Sequence, residues 1–177
     1  ALRRSGRTER VIMKTQFNME RLLYIALIAG IILTADQLSK WAVLEYFQIR
    51  GSQVTPLMPF LNLVLVFNPG ISFGLFGDHS LLGPYAFTTF AMIVTFLLLI
   101  WAYKTSDFLQ RLYFSLVIGG ALGNVIDRLR FGAVVDFIDV YVSGYHWPAF
   151  NVADSAITLG VLALVLNNLF KKSESGK

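Results

Sequence analysis

Cysteine is absent from this chain of 177 residues, and histidine occurs twice. Without cysteine the protein has no thiol nucleophile, no disulfide and no thiolate metal site, whatever its compartment. His79 and His146 are far apart in the sequence and lack the spacing of metal ligands, so we interpret both as loop residues. We therefore expect neither a metal nor another cofactor.

Charged residues are also scarce. They make up 15% of the chain against 55% hydrophobic residues, and the mean hydropathy is +0.61. These values lie outside the range of ordinary water-soluble domains and indicate lipid as the solvent. The formal net charge of +4 does not predict a nucleic-acid partner, because the basic residues flank apolar runs instead of following one polar face.

Long apolar segments predict four membrane-spanning helices, at residues 22–44, 81–103, 109–129 and 150–170. Up to Ala35 the first segment has the length of a signal-peptide core, but no small-x-small cleavage site comes after it. Only its continuation through Asp36 and Lys40 reaches the roughly 20 residues that a bilayer requires. We therefore expect a retained anchor. The third segment contains glycines that offer a small-xxx-small face to another helix.

The polar ends of the chain are expected to lie outside the functional domain. Residues 1–18 form a polar, basic arm. Met13 in the arm and Met19 just after it are both candidate translation starts, so part of the arm can derive from an expression vector. Residues 19–172 are predicted to form one four-helix transmembrane domain. Residues 173–177 form a polar tail.

Two segments between the helices have the composition of strands. Residues 60–67, bounded by Pro59 and Pro69, are too short to span as a helix, and residues 134–141 have similar β-branched and aromatic content. Together they predict a small sheet at one end of the bundle. The predicted fold class is an all-α membrane protein with four transmembrane helices and this small sheet.

Basic residues predict the orientation of the bundle, because lysine and arginine are retained on the cytoplasmic side. The two strand-bearing loops have little beyond Arg50 and Arg130. Both termini are therefore predicted to be cytoplasmic, with the sheet on the extracytoplasmic face. The cytoplasmic basic residues are Arg3, Arg4, Arg7, Arg10, Lys14, Arg21, Lys104, Arg111, Lys171, Lys172 and Lys177.

Apart from these basic residues, the ionisable side chains within the predicted spans fall at their outer ends, and one loop acid, Asp136, belongs to the same layer. Charges near hydrocarbon are costly and tend to mark function. The predicted cluster contains Asp36, Lys40, Asn124, Asp127, Arg128, Asp136, Asn151 and Asp154.

Several members of this cluster also have a structural interpretation. Asp36 and Lys40 are spaced i,i+4, so we favour an ion pair on one helix face. Asn151 and Asp154 have the spacing of a helix N-cap followed by an acid on the positive end of the macrodipole. From the local sequence, capping and catalysis are equally supported for Asp154.

Asp127 in the cluster and the nearby loop acid Asp139 also have structural interpretations. Adjacent Asp127 and Arg128 are typical of an interfacial ion pair, and Asp139 is typical of a solvated loop acid. A Ser39–Lys40 dyad is disfavoured, because adjacent helix positions point about 100° apart. Two carboxylates can share one proton and hydrolyse a peptide bond, but the residues alone do not choose which two.

Five motifs, taken in order, resemble those of bacterial lipoprotein signal peptidase, also called signal peptidase II. Each one alone is weak, but their order on a four-helix chain is specific, and the resemblance covers roughly residues 20–170. The motifs are Asp36-Gln37-x-x-Lys40, Asn68-Pro69-Gly70-x-x-Phe73-Gly74, Gly119-Gly120-x-x-Gly123-Asn124-x-x-Asp127-Arg128, Val134-Val135-Asp136-Phe137 and Phe150-Asn151-x-Ala153-Asp154.

The resemblance implies an intramembrane aspartic endopeptidase that cuts lipid-modified prolipoproteins just before the diacylglyceryl-modified cysteine. It implies a multi-pass protein of the bacterial inner membrane with its site toward the extracytoplasmic face, and we expect a monomer whose partners are this substrate and membrane lipid. Asp136 and Asp154 match the catalytic pair. Positions lining the substrate site match Asn68, Gly70, Asn124, Arg128 and Asn151. Positions of structural support match Asp36, Lys40 and Asp127.

Two other functions are compatible with the same composition and predicted fold. A small proton- or ion-coupled transporter also contains buried carboxylates, but such proteins place polar groups through the full bilayer depth and often show repeated halves, which this sequence lacks. A lipid-binding or assembly subunit needs no two proximal acids. The distance between the carboxyls of Asp136 and Asp154 separates that function from a peptidase.

Overall fold

The structure, a computed structural model, describes residues 2–70 and 82–175. This part of the chain contains four helices and four short strands. In chain order they are α1 (Leu2–Arg50), β1 (Val54–Met58), β2 (Leu61–Asn68), α2 (Leu82–Lys104), α3 (Phe108–Phe131), β3 (Val134–Val142), β4 (Tyr145–His146) and α4 (Val152–Ser175).

Each helix contains a stretch that is long and apolar enough to cross a membrane, which confirms the prediction of four candidate spans. These stretches are Asn18–Arg50, Tyr85–Lys104, Phe108–Phe131 and Val152–Lys171. The basic arm is the first part of α1, which begins at Leu2. The arm contains no proline, and its arginine, lysine and glutamate residues favour helix.

The ends of α3 show why this helix begins and ends where it does. Asp107 is the N-cap, and its Oδ1 accepts hydrogen bonds from the backbone N–H groups of Leu109 (2.9 Å) and Gln110 (3.4 Å). Gly132 comes after the last turn with φ +71°, and its N–H donates to the carbonyl of Arg128 at 3.0 Å. The predicted span 109–129 is therefore correct to within two residues.

Glycines on α3 allow its neighbours to approach closely. A Cβ added at Gly119 would meet the carbonyl oxygen of Ala29 on α1 at 2.7 Å, and one at Gly120 would meet that of Ala153 on α4 at 2.5 Å. Half of the α3 span is buried inside the protein, against 17% for each of the other spans. α3 is thus the central helix, as its glycine face predicts.

The strands form one antiparallel sheet in the order β1-β2-β3-β4. The pairing of β2 with β3 sets Val66 opposite Asp136 and Asn68 opposite Val134. The composition of the loops predicts β2 and β3 but not the outer strands. β1 contains Pro56 and lies mostly exposed, and β4 has two residues, so neither has the alternation of a half-buried strand.

Candidate active site

Asn151 forms hydrogen bonds with both Asp136 and Asp154 and so links the two acids. Its side-chain Nδ2 donates to Asp136 Oδ1 at 2.7 Å, and its backbone N–H donates to Asp154 Oδ2 at 3.2 Å. Asn151 is fully buried and Asp136 is 1% exposed, whereas Asp154 is half-buried. The two acids therefore share one buried neighbour, and Asp154 faces the surface opening of the site.

The sheet positions Asp136, and the turn into α4 positions Asp154. Asp136 is the third residue of β3, and Asp154 lies in the first turn of α4. The chain that enters α4 is bonded to β3, because Phe150 N–H donates to the carbonyl of Ile138 (3.0 Å) and Ile138 N–H donates to that of Phe150 (2.9 Å). This bridge ties the two acids to one rigid corner.

Asp154 caps α4 and also belongs to the polar cluster. Asn151 Oδ1 accepts the backbone N–H of Asp154 at 2.8 Å, while Asp154 Oδ2 accepts that of Asn151, which is a reciprocal capping pair. The other oxygen, Asp154 Oδ1, accepts a hydrogen bond from Asn124 Nδ2 at 2.8 Å. The sequence left capping and catalysis equal for Asp154, and its geometry is compatible with both.

Asp136 is held in a nearly closed polar environment. Asn68 Nδ2 donates to its Oδ2 at 3.0 Å. Burial, together with the charge of nearby Asp154, raises the pKa of Asp136 to about 6, although the hydrogen bonds from Asn68 and Asn151 and the charge of Lys40 act in the opposite direction. A carboxyl with this pKa keeps its proton to a higher pH than an ordinary aspartic acid, which suits the sharing of one proton with a second acid.

Lys40 is the centre of a buried ionic cluster beneath the two acids. Its Nζ lies 2.8 Å from Asp36 Oδ2, which confirms the predicted i,i+4 pair, and 2.7 Å from Asp127 Oδ2. Asp127 also accepts hydrogen bonds from Gln37 Nε2 (3.0 Å) and Val135 N–H (3.1 Å). Our interpretation of Asp127 and Arg128 as an interfacial ion pair is therefore wrong, because the Asp127 carboxylate faces inward.

Asp36 connects this cluster to α4. Its Oδ1 accepts the backbone N–H of Ala153 at 2.9 Å, and its Oδ2 accepts hydrogen bonds from Lys40 and from Gln37 Nε2. Gln37 reaches the carbonyl of Gly123 as well, at 3.3 Å. The sequence analysis assigned no role to Gln37. Its place in the first motif was the one signal available.

Asp139 is not a solvated loop acid, contrary to our interpretation. It lies buried in β3, where it accepts a hydrogen bond from Asn62 Nδ2 at 2.8 Å and contacts His146 Nδ1 at 2.9 Å. The bond from Asn62 holds the pKa of Asp139 below its ordinary value. His146 belongs to β4 and stacks on Tyr141, so its assignment to a loop is also wrong. His79 lies outside the described residues.

The remaining predicted residues border the site. Asn68 is exposed at the end of β2, and its Oδ1 accepts the N–H of Gly70 at 3.0 Å, where φ is +88° and favours glycine. Arg128 is half-buried and donates from Nη1 to the carbonyl of Asn124 at 3.4 Å. Its buried Nε has no hydrogen-bond partner among the described residues. Phe73 and Gly74 of the second motif lie outside those residues.

A surface pocket of about 410 Å³ opens beside Asp154. Its other lining residues are Trp147, Pro148, Ala149, Phe150, Ser155 and Thr158. Most of these side chains are apolar, so the pocket offers a lipid-like wall next to a carboxylate. Among the side chains that the structure describes, in residues 18–70 and 85–171, no group of three or more His, Asp or Glu could hold a metal ion.

Comparison with known proteins gives consistent matches over most of the chain. A family model described as signal peptidase (SPase) II matches residues 28–170. The lipoprotein signal peptidase of Polynucleobacter necessarius subsp. necessarius (strain STIR1) is 43% identical over 155 residues, covering 87% of this chain and 93% of that protein. That of Thermodesulfovibrio yellowstonii is 45% identical over 141 residues, covering 80% and 91%. A solved bacterial membrane enzyme aligns with a TM-score of 0.69 at 30% identity, covering 85% of this chain and 90% of that one.

Proposed function

The chain belongs to the signal peptidase II family, and we propose on that premise that Asp136 and Asp154 are the catalytic pair with which it cleaves prolipoproteins. The substrate is a prolipoprotein already modified with diacylglycerol, and the cut falls just before the lipidated cysteine. The observation that carries the assignment is that Asn151 donates a hydrogen bond to each of the two carboxyls. It brings two acids, one of them with a raised pKa, to one end of a membrane bundle.

The pair works with one shared proton. Asp154 accepts a proton from a water molecule whose oxygen attacks the scissile carbonyl carbon, and Asp136 donates its proton to the carbonyl oxygen. A tetrahedral intermediate with two hydroxyl groups results. It collapses as the C–N bond breaks, when the proton on Asp154 passes to the leaving nitrogen and Asp136 recovers its proton from a hydroxyl group. Every proton that leaves a carboxyl is thereby returned within one turnover.

Both termini lie in the cytoplasm in this proposal, and the sheet and the catalytic pair lie on the extracytoplasmic side of the bacterial inner membrane. Basic residues at the end of the bundle away from the pair support this orientation. Arg21 Nη1 donates to the carbonyl of Tyr103 at 3.2 Å, and Lys171 pairs with Asp107 beside the start of α3. Positive charge on that side fits the cytoplasmic face.

Residues 19–172 constitute the peptidase in this proposal, as a monomer, and the arm and the tail take no part in cleavage. Asn68, Gly70 and Arg128 border the carboxyls and contact the substrate. The pocket beside Asp154 is lined in part by α4, which also exposes apolar side chains such as Leu159. An apolar signal helix or lipid chain can lie there without crossing water.

A transporter is not favoured by the distribution of buried groups. The core in the inner half of the bundle is apolar and includes Ile25, Ala29, Ala102 and Ile118. A proton relay needs titratable groups along its path, whereas the buried carboxylates of the described residues all lie at the site end of the bundle: Asp36, Asp127, Asp136 and Asp139. The family match adds a second reason against transport.

The test is cleavage of a lipid-modified prolipoprotein by Asp136→Asn and Asp154→Asn in detergent or lipid nanodiscs. We expect each variant to lose activity by at least roughly a thousandfold with its fold retained, because the shared proton is removed while side-chain size is kept. Asp139→Asn is the matched control, since it changes a buried acid of the same strand outside the site and should still cleave. Turnover near the wild-type rate by folded Asp154→Asn would restrict that residue to capping.

A further inference from the structure

The side-chain amide of Asn124 forms three hydrogen bonds with other side chains, and one of its N–H groups remains without a bond to them. Its Oδ1 accepts from Lys40 Nζ at 3.1 Å and from Asn151 Nδ2 at 3.3 Å, and its Nδ2 donates to Asp154 Oδ1 at 2.8 Å. The residue is 6% exposed. The family resemblance implies a position lining the substrate site. Buried contacts of this kind instead make Asn124 a support for Asp154.

Lys40 decides which way the Asn124 amide points. An ammonium group donates and never accepts, so the atom that faces Lys40 must be the amide oxygen. The amide nitrogen then faces Asp154. Lys40 has no competing orientation, because its other two contacts are the carboxylates of Asp36 and Asp127 and its side chain is 3% exposed.

Asn151 is oriented by a second, independent constraint. Its Oδ1 faces a backbone N–H, that of Asp154, which can only donate. Its Nδ2 therefore faces Asp136 Oδ1 at 2.7 Å and also the carbonyl of Val135 at 3.2 Å. Both amides are thus held with their nitrogens toward a carboxylate of the pair.

We propose that Lys40 is a positioning residue of the catalytic pair, which it serves by locking the Asn124 amide so that its nitrogen donates to Asp154. This inference rests on the proposed function. It differs from structural support, because Lys40 then sets the protonation behaviour of the pair and not only the stability of the bundle. Lys40 itself touches neither the substrate nor the scissile bond.

The groups that face Asp154 determine the effect of removing Lys40. They are Asn124 and Arg128 on α3, Asn151 at the start of α4 and Asp136 on β3. Without the ammonium, the Asn124 oxygen keeps only the longer hydrogen bond from Asn151 Nδ2 at 3.3 Å, so the amide is held less firmly with its nitrogen toward Asp154. The Asp154 carboxylate is then positioned less precisely, so kcat should fall. The positive charge of Lys40 also lowers the pKa of Asp136, so its loss should raise the pKa of Asp136 further.

A double-mutant cycle of Lys40→Met with Asn124→Leu tests the inference, using kcat, KM and the pH profile of prolipoprotein cleavage. We expect Lys40→Met to lower kcat roughly a hundredfold, the loss typical of a reacting group displaced by about 1 Å, with a much smaller change in KM. The alkaline limb of its pH profile, which reports the proton of Asp136, should move to higher pH. The double variant should be no slower than Asn124→Leu alone, because Lys40 acts through Asn124.

Ile25→Ala is the matched control for stability. Ile25 is 2% exposed in the inner core, so its truncation should lower the melting temperature while leaving the pH profile unchanged. Lys40→Gln keeps a donor for Asn124 Oδ1 and should recover part of the lost kcat. If Lys40→Met does not fold, Lys40→Gln replaces it in the double-mutant cycle with Asn124→Leu.

Additive losses in kcat, or a pH profile of Lys40→Met that coincides with the wild type, would overturn the inference. A Lys40→Gln variant that is no faster than Lys40→Met would do the same. Asp136→Asn and Asp154→Asn separate the two proposals. If both cleave as well as the wild type, the assignment of the pair is wrong. If both are inactive while the cycle is additive, only the role of Lys40 fails.

Discussion

Asp154 caps the helix in which it stands, through a reciprocal pair of hydrogen bonds with Asn151. Asp154 Oδ2 accepts the backbone N–H of Asn151 at 3.2 Å, and Asn151 Oδ1 accepts that of Asp154 at 2.8 Å. One oxygen of the carboxylate thus holds the start of α4, while the other faces the polar cluster. The cap explains how a charged side chain stays in one rotamer at the edge of a membrane bundle.

The dual role of Asp154 predicts that two substitutions with equal loss of activity differ in stability. Asp154→Asn keeps an acceptor for the N–H of Asn151, whereas Asp154→Ala removes it, so the alanine variant should be less stable by about 0.5–2 kcal/mol. Thermal unfolding in detergent measures the difference. Equal melting temperatures would show that the carboxylate contributes nothing as a cap.

The raised pKa of Asp136 predicts the alkaline side of the pH profile. Asp136 donates a proton in the proposed mechanism, so kcat/KM should fall as pH rises through about 6, where that proton is lost. Asn68→Ala removes a hydrogen bond that favours the ionised form, so the pKa of Asp136 should rise and the fall should move to higher pH. Profiles of both proteins with one substrate give the comparison. A downward shift in Asn68→Ala would contradict it.

The same pKa predicts a pH dependence of stability. Because the pKa of Asp136 is higher in the folded protein than its ordinary value of 3.8, the folded state binds more protons between these two values. The contribution of Asp136 to the free energy of unfolding therefore falls as pH rises from about 4 to about 6 and is constant above that. Melting temperatures of the wild type and Asp136→Asn across this range should diverge. Parallel curves would argue against a raised pKa.

The four helices were predictable because a membrane span needs a length of apolar sequence that little else in a protein requires. The central strands were predictable from their β-branched content. β1 was not, because Pro56 and exposed residues remove the alternation that marks a strand, and the two residues of β4 are too few to form a pattern. The pairing of β4 depends on the turn at Ser143 and Gly144, both with positive φ.

The site could be located by sequence but not resolved. Charges at the ends of three helices indicated one layer, and these side chains do lie together in the structure, whereas the choice between Asp136 and Asp139 depends on strand register. Asp139 lies opposite Asn62 and binds it, so its carboxylate is turned away from the cluster. The partner of Asp127 also depends on packing, because Lys40 comes from another helix. Only the motif resemblance indicated the pair before the geometry was known.

The ionic cluster around Lys40 predicts unequal effects of removing its members. Lys40→Met leaves the carboxylates of Asp36 and Asp127 buried without their cation, which should cost about 3–5 kcal/mol of stability. Adding Asp36→Asn removes one of these charges and keeps an oxygen for the N–H of Ala153, so the double variant should recover part of the loss. Recovery should be incomplete because Asp127 remains. Simple addition of the two losses, measured by thermal unfolding, would contradict the pairing.

The close approach of α3 and α4 gives the last prediction, which compares a glycine in a crowded contact with a glycine beside open space. A Cβ at Gly120 would meet the carbonyl oxygen of Ala153 at 2.5 Å, whereas a Cβ at Gly30 on α1 meets no atom within 4 Å. Gly120→Ala should therefore push α4 away from α3 and destabilise the protein by about 1–3 kcal/mol, the typical cost of overpacking. Gly30→Ala should be neutral or more stable by roughly 0.5–1 kcal/mol, because alanine favours helix.

Activity distinguishes this displacement from a simple loss of stability. Ala153 immediately precedes Asp154, so a shift of α4 at Gly120 moves the carboxylate away from Asn124 and Asp136. Cleavage by folded Gly120→Ala, measured well below its melting temperature, should fall by roughly a hundredfold, as expected for a displacement of about 1 Å. Gly30→Ala should cleave at the wild-type rate. If Gly120→Ala were less stable yet fully active, the position of Asp154 would not depend on the contact between α3 and α4.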